Sequence, residues 1–348
     1  MTTSTTFIDR VLTEAKERGV SDIHMTTGIT PIFRINGKLV QFGDEKLMPA
    51  DTMAIAKALM PESLWDAFMD KGEMDYTYSI PGVARYRVNS FHQRGSISHA
   101  FRTIASNIPT IDDLQMPDTL KKLADTHQGL ILVTGPTGSG KSTTLAAMIR
   151  YMNEHMNKHI ITLEDPIEYM HSHGTSVIDQ REVGFDTKSF ANGLRAALRQ
   201  DPDVILVGEM RDLETITTAI TAAETGHLVM GTLHTSSASS TIERIIDVFP
   251  HEQHAQIRTQ LGGIIKAVVS QRLLPTADGK GRVAATEIMI SNSAIANLIR
   301  SEKVHQIPNV ILTNRALGMH MMETSVQELL KKGKITREVA QPYLIGVD

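Results

Sequence analysis

The sequence contains no cysteine and few aromatic residues, and both scarcities limit what the protein can be. Without cysteine among its 348 residues, the chain can form neither disulfides nor thiolate metal sites. Aromatic residues make up only 5% and the formal net charge is -4, which disfavours a protein built mainly to coat nucleic acid. We therefore expect no nucleic-acid partner.

Long apolar runs are also absent from the sequence. None is long enough to span a bilayer, so we expect no direct membrane insertion. The start, MTTSTTFIDR, lacks the basic region and apolar core of a signal peptide. We expect a cytoplasmic protein that meets the inner face of the cell membrane only through a partner.

The length predicts about two domains, and the pattern of the sequence changes near residue 105. Residues 1–105 combine a helix, FIDRVLTEAKERG, and a helical stretch at about 51–70 with alternating strands. Asn36-Gly37 is a signal for a two-residue hairpin. These features predict a small α+β domain whose sheet carries helices on one side. Residues 106–117, with two prolines, are predicted to be a linker.

Residues 118–348 are predicted to form an α/β domain. Four apolar segments, GLILVTG, HIITLED, DVILVGE and HLVMGTLH, alternate with helical segments. Continuous apolar strands separated by helices are typical of a parallel sheet that is covered on both faces. The region from about 283 to 348 is expected to be mostly helical.

The segment GPTGSGKS, residues 135–142, matches the phosphate-loop pattern G-x-x-x-x-G-K-[ST] between an apolar strand and a helix. Glycines allow backbone N–H groups to surround phosphate oxygens, and the helix directs its positive end at the same anion. We expect Lys141 to reach the β- and γ-phosphates of ATP and the Ser142 hydroxyl to bind Mg. The predicted nucleotide-binding residues are Gly135, Pro136, Thr137, Gly138, Ser139, Gly140, Lys141, Ser142 and Thr143.

Two further strands end in acids. Glu209 follows one strand and is placed to hold a metal-bound water shell opposite Ser142. Glu164 and Asp165 leave another strand, and neighbouring residues of an extended chain point to opposite sides. Only one of these two acids should therefore face the phosphate, where a carboxylate can polarise the attacking water. The residues alone leave open whether both simply form an Asp-Pro turn.

Histidines and arginines supply weaker signals. His234 ends a strand and could contact the γ-phosphate, but a structural role is favoured for it, and still more for His227. Alternation places Arg85 and Arg87 on one face of a strand, and Arg102 lies on a neighbouring strand. These arginines either form a solvated face or reach a nucleotide, as arginine fingers do.

Taken together, these motifs resemble those of the secretion and type IV pilus motor ATPases. GPTGSGKST, ITLEDPIEY, LRQDPDVILVGEMRD and GTLHTSSASSTIERIIDVFP occur in the order of that family. SDIHM, FRINGKL, GVARYRVNSF and FRTI resemble its small N-terminal PAS-like domain. SAIANLIRSEK resembles the motif of its retraction members, from which it departs at Ala296 and Ser301.

This resemblance implies a PAS-like domain followed by a RecA-like P-loop ATPase domain, assembled as a homohexamer with ATP between subunits. It assigns Glu164 as the water-activating carboxylate, Glu209 as the Walker B acid, and His227 and His234 to the family's His box. The arginines listed above match arginines that approach the nucleotide as the domains close. The implied function is ATP-driven pilus retraction and twitching motility, exerted on an inner-membrane platform protein.

Three other functions are compatible with parts of this sequence. Extension and secretion ATPases of the same family are longer and usually carry a tetracysteine zinc site, so a chain without cysteine favours retraction. A RecA-like nucleic-acid motor would need a basic channel. A non-catalytic scaffold is disfavoured by the intact phosphate loop and both acids, and an ATPase assay separates it from a motor.

Overall fold

The chain divides by its own contacts into two units, residues 1–107 and residues 108–348. The structure, a computed structural model, describes residues 2–35, 37–104 and 107–344. Each unit is described by itself. Among the described residues, no helix has both the length and the apolar character that crossing a bilayer requires.

The first unit is a six-stranded antiparallel sheet with three helices. The strand order is β3-β2-β1-β6-β5-β4. In chain order the elements are α1 (Thr2–Glu17), β1 (Asp22–Met25), β2 (Ile32–Ile35), β3 (Lys38–Gln41), α2 (Pro49–Leu59), α3 (Glu62–Lys71), β4 (Glu73–Ile80), β5 (Ala84–Gln93) and β6 (Ser96–Ile104).

Period-two alternation places one face of this sheet in the core. Tyr86 and Val88 of β5 are fully buried, whereas Arg87 between them is exposed. The buried face packs in one cluster with residues of all three helices, including Leu12, Ile55 and Phe68. The prediction of a sheet with helices on one side is confirmed, whereas the PAS-like assignment stays a prediction.

Two local predictions in this unit concern the hairpin at Asn36-Gly37 and the helical stretch at about 51–70. Strands β2 and β3 pair directly beside a two-residue connection in which Gly37 has a φ of 81°, and Asn36 lies outside the described residues. The helical stretch expected at about 51–70 is confirmed, and it consists of two helices, α2 and α3, separated at Met60 and Pro61. Met60 is extended, with ψ 129°, since Pro61 disfavours a helical conformation for the residue before it.

The second unit is built on a seven-stranded sheet of order β13-β12-β7-β11-β10-β8-β9. All neighbours are parallel except β12 and β13. Its elements are α4 (Thr119–Ala124), β7 (Gly129–Thr134), α5 (Lys141–His155), β8 (His159–Glu164), β9 (Val177–Glu182), α6 (Phe190–Ala197), β10 (Val204–Val207), α7 (Leu213–Glu224), β11 (Leu228–Leu233), α8 (Ala238–Asp247), α9 (His254–Ile264), β12 (Ile265–Pro275), β13 (Arg282–Ile290), α10 (Ser293–Arg300), α11 (Ile307–Thr313), α12 (Met322–Lys331) and α13 (Arg337–Ala340).

Successive residues of the central strands enter two different cores. In β7, Leu130 and Leu132 pack with α6, α7, α8 and α9, whereas Ile131 and Val133 pack with α4 and α5 on the opposite face. Both faces are therefore buried, which explains why these strands carry mostly apolar residues on both faces. The prediction of an α/β sheet that is covered on both faces is confirmed.

Two expectations about this unit differ from the structure. The segment 108–117 was expected within a linker, but Ile111 and Met116 are buried against the core beside α4 and α5, because apolar side chains in this segment gain by leaving water. The region from about 283 was expected to be mostly helical, yet it begins within strand β13. The sequence analysis also did not predict β12, the partner of β13, or the edge strand β9.

Candidate active site

The phosphate loop, residues 135–140, connects the end of β7 to the start of α5. Gly140 has a φ of 88°, a conformation that strains any residue with a side chain. A Cβ atom at this position would lie 2.8 Å from the side-chain nitrogen of Gln271. The glycine is therefore required both by the backbone angle and by the close approach of β12.

Gln271 braces this loop from the neighbouring strand β12. Its Nε2 donates to the carbonyl of Ser139 at 2.7 Å, and its Oε1 accepts from the Thr144 hydroxyl at 2.8 Å. The side chain is buried, with 2% of the residue exposed. The Oγ of Ser139 is buried in the loop without a hydrogen-bond partner. A buried hydroxyl left unsatisfied in a loop of this kind is consistent with an anion as its missing partner.

Lys141 folds back onto the loop that it follows. Its Nζ donates to the carbonyls of Gly135 at 2.8 Å and Pro136 at 3.2 Å. Burial lowers the pKa of Lys141, and the charges of Glu209 and Glu168 oppose this shift. The ammonium group is thus held in a low-dielectric position with only neutral carbonyls in direct contact, where a phosphate is a stronger partner.

Glu164 is the last residue of β8 and is held by two side-chain donors. The Thr162 hydroxyl lies 2.6 Å from its Oε1, and the Gln180 amide lies 3.1 Å from the same atom. Burial raises the pKa of Glu164, and these two hydrogen bonds oppose that rise. Asp165 is exposed by comparison, although both acids line the same cavity. A raised pKa brings a carboxylate closer to the range that suits a general base.

Glu209 lies two residues beyond the end of β10 and has two basic neighbours. Its Oε1 lies 2.7 Å from Nε2 of His234, and it pairs with Arg211 as well. The hydrogen bond and the charge of Glu209 raise the pKa of Arg211. The structure thus pairs Arg211 with Glu209. Asp212 instead caps α7 by accepting from the Thr215 amide at 2.8 Å.

These residues surround one cavity of about 360 Å³ at the carboxyl ends of the central strands. Nine of the predicted site residues line this cavity: Thr137, Gly138, Gly140, Lys141, Ser142, Thr143, Glu164, Glu209 and His234. Gly135, Pro136 and Ser139 belong to the loop but do not line this cavity. A second cavity of about 730 Å³ adjoins it and shares Gly140, Thr143, Leu273 and Arg282.

Several lining residues were missed from the sequence. Tyr169 belongs to the same EDPIEY segment as Glu164, and its hydroxyl contacts the Thr143 hydroxyl at 2.8 Å. Its position just after a strand-end acid is a signal that could have identified it. Arg282 and Gln271 had no such signal, because strands β12 and β13 were not predicted.

His227 lies outside this cavity. It precedes β11, whereas His234 follows the same strand, and six strand residues separate the two ends by about 20 Å. Its Nδ1 lies 3.0 Å from the Ala222 carbonyl, which makes it a helix-end contact. Within its own chain, His227 therefore lies at the opposite edge of the sheet from this cavity, and its assignment to the nucleotide site stays a prediction.

The three predicted arginines lie in the first unit on the strand face opposite the core. Arg87 and Arg102 stand in register on β5 and β6, and both are exposed. Arg87 pairs with Asp75 at 3.6 Å and Arg102 with Asp22 at 3.0 Å. Arg85 donates to the Thr77 hydroxyl at 3.0 Å. The predicted alternation of this strand is confirmed.

The residues expected to bind metal fit a magnesium ion that arrives with a nucleotide. The Ser142 hydroxyl and the Glu209 carboxylate both line the cavity. Within the described ranges, no three or more histidines and carboxylates are grouped so as to hold a metal by themselves. Mg²⁺ commonly keeps several waters and takes one or two protein oxygens together with substrate phosphates, which matches this pair.

A phosphate loop braced by a neighbouring strand, with two strand-end acids across one cavity, defines a P-loop ATPase. The family model described as Type II/IV secretion system protein matches residues 2–341, and the chain belongs to this family.

Relatives match over nearly the whole chain. A type IV pilus retraction ATPase, PilT, of Pseudomonas aeruginosa is 47% identical over 334 residues, which cover 96% of this chain and 97% of that protein. A twitching motility protein of Neisseria gonorrhoeae is 47% identical over 90% of this chain and 83% of its own length. The crystal structure of the pilus retraction motor PilT with bound ADP matches with a TM-score of 0.90 at 49% identity, covering 97% of this chain and 96% of that chain.

Proposed function

We propose that this chain is the ATP-hydrolysing motor that powers retraction of type IV pili, and with it twitching motility. The observation that carries the proposal is the meeting of the phosphate loop, Glu164 and Glu209 around one cavity, in a chain that aligns with a retraction ATPase from end to end. Similarity over the full length of that relative favours retraction over the longer extension and secretion ATPases.

Nucleotide binding follows from the loop. The backbone N–H groups of residues 137–142 surround the phosphates at the positive end of α5. Lys141 exchanges its contacts with the carbonyls of Gly135 and Pro136 for the β- and γ-phosphates. The adjoining cavity of about 730 Å³ has room for the nucleoside. Ser142 and Glu209 would hold Mg²⁺, which supplies positive charge to the phosphates when bound.

Hydrolysis uses Glu164 as the general base. Its carboxylate accepts a proton from a water molecule as the water oxygen bonds to the γ-phosphorus, and the bond from that phosphorus to the bridging oxygen of ADP breaks. The raised pKa of Glu164 makes the carboxylate a stronger base than an exposed glutamate. His234, which is hydrogen-bonded to Glu209, would contact the γ-phosphate.

Motion requires that the nucleotide bind one arrangement of the two units better than another, because a ligand shifts an equilibrium only by its differential affinity. We assign this role to Arg85, Arg87 and Arg102. The ion pairs of the last two are exposed, and such pairs contribute at most about 1 kcal/mol, so a phosphate can replace the aspartates at low cost. A homohexamer would pass the resulting movement to an inner-membrane platform protein.

Deletion and complementation test this function. A strain without the gene should carry abundant pili and fail to twitch, and the wild-type gene should restore both properties. Lys141→Ala should be expressed at the same level and restore neither, because it removes the cation for the phosphates. Loss of pili in the deletion strain would instead indicate an extension motor, and restoration by Lys141→Ala would refute a role that depends on ATP.

A further inference from the structure

One side-chain amide contacts three points of the segment that begins with Glu164. Gln180, on β9, donates through Nε2 to Oε1 of Glu164 at 3.1 Å and to the carbonyl of Tyr169 at 2.8 Å. Its Oε1 accepts from the backbone N–H of His171 at 2.8 Å. A single glutamine therefore fastens residues 164–171, which form one wall of the cavity, to the neighbouring strand.

The pairing of β8 with β9 fixes the position of Gln180 relative to Glu164. Gln180 stands directly opposite Thr162 in the parallel pair of β8 and β9, and both side chains donate to the same oxygen of Glu164. The far end of the segment is tied as well, since the Tyr169 hydroxyl contacts Thr143 in α5. The carboxylate is thus oriented from the sheet on one side and from the phosphate-binding helix on the other.

We propose that Gln180 is a positioning residue for ATP hydrolysis, which fixes the Glu164 carboxylate and the 164–171 wall in the arrangement that activates water. This role rests on the proposed function. It acts through Glu164, because Gln180 itself does not line the cavity. Supporting groups on rigid strands are required wherever a reacting group must be held to within a fraction of an ångström.

A double-mutant cycle tests this role. The variants are Gln180→Leu, Glu164→Gln and the combination, assayed by single-turnover hydrolysis of ATP and by ADP binding. Gln180→Leu should lower the hydrolysis rate by about 10- to 100-fold, the scale of a misplaced reacting group, while the ADP dissociation constant stays within about threefold. In the Glu164→Gln background the same substitution should change the rate by less than about twofold, because the group it positions is already gone.

Two further variants keep the test decisive. Gln180→Glu retains an acceptor for the His171 amide but replaces the donor to Glu164 by a second carboxylate, so it should be at least as slow as Gln180→Leu. Gln128→Leu is the matched control. Gln128 is exposed and donates to the carbonyls of Ala223 and Glu224 before β7, at the opposite edge of the sheet, and its loss should leave the rate unchanged.

The outcomes separate the two proposals. Equal rate losses in both backgrounds, or an ADP affinity that falls as much as the rate, would show that Gln180 merely maintains the fold. An unchanged rate in Gln180→Leu, with an active wild-type enzyme, would overturn the positioning role alone. A wild-type chain that binds ADP but hydrolyses no ATP would overturn the proposed function itself.

Discussion

The brace between Gln271 and the phosphate loop gives the most detailed prediction. Gln271→Leu keeps the volume of the side chain roughly constant but removes both hydrogen bonds. The Ser139 carbonyl and the Thr144 hydroxyl then lose partners at 2.7 and 2.8 Å in a site where the glutamine is 2% exposed. Each unsatisfied buried group costs about 1–3 kcal/mol, so the loss of two partners should lower the free energy of unfolding by about 2–6 kcal/mol.

A second substitution should restore part of the free energy of unfolding that Gln271→Leu removes. Replacing both partners of a buried hydrogen bond by apolar groups can be nearly neutral, so adding Thr144→Val to Gln271→Leu should restore about 1 kcal/mol or more. Thr144→Val alone should be destabilising, because it strands the amide oxygen of Gln271. ADP affinity should fall in Gln271→Leu, since the loop loses its support from β12.

Denaturant unfolding of the full chain and ADP titration measure these effects. Gln128→Leu serves as the control, because the residue is exposed and its two hydrogen bonds are long, at 3.3 Å. This substitution should change the unfolding free energy by less than about 0.5 kcal/mol. If Gln271→Leu unfolded at the same midpoint as this control and bound ADP equally well, the brace would contribute nothing. The reasoning from buried partners would then be refuted.

Three further predictions concern other parts of the molecule. Lys141→Ala should weaken ADP binding by about tenfold or more in a fluorescence titration, because its charge-assisted contacts are lost. Arg102→Gln should lower the ATPase rate by at least about tenfold if it acts on phosphate, whereas Arg18→Gln, at another exposed ion pair, should not. Burial lowers the pKa of His99 from 6.5 to about 4. The unfolded chain therefore takes up this proton first as the pH falls, so His99 by itself should lower the stability by about 3 kcal/mol between pH 6.5 and 4, and His99→Gln should remove that contribution.

The phosphate loop and its acids were predictable because their signals are local. Gly135 to Ser142 form a continuous pattern. Glu164 ends one apolar strand and Glu209 lies two residues beyond another, and both strands had to end at one edge of a parallel sheet. The order of the strands in the sheet therefore brings the phosphate loop, Glu164 and Glu209 together. The choice of Glu164 over Asp165 came from resemblance to the family, and its hydrogen bonds and burial now give it a physical basis.

The supporting residues were not predictable from local pattern. Gln271 lies 127 residues from Thr144, and no local signal pairs strand β12 with the phosphate loop. Gln180 lies on the edge strand β9, whose sequence VIDQRE ends in four consecutive polar residues that resemble a loop.

The central claim is that Glu164 activates the attacking water while the phosphate loop binds the nucleotide. Glu164→Gln, with nearly the same shape and no basic oxygen, separates these roles when ATP binding and single-turnover hydrolysis are measured on the same preparation. We predict an ATP dissociation constant within a few-fold of wild type and a hydrolysis rate lower by about 100-fold or more. Hydrolysis at the wild-type rate in this variant would contradict the account.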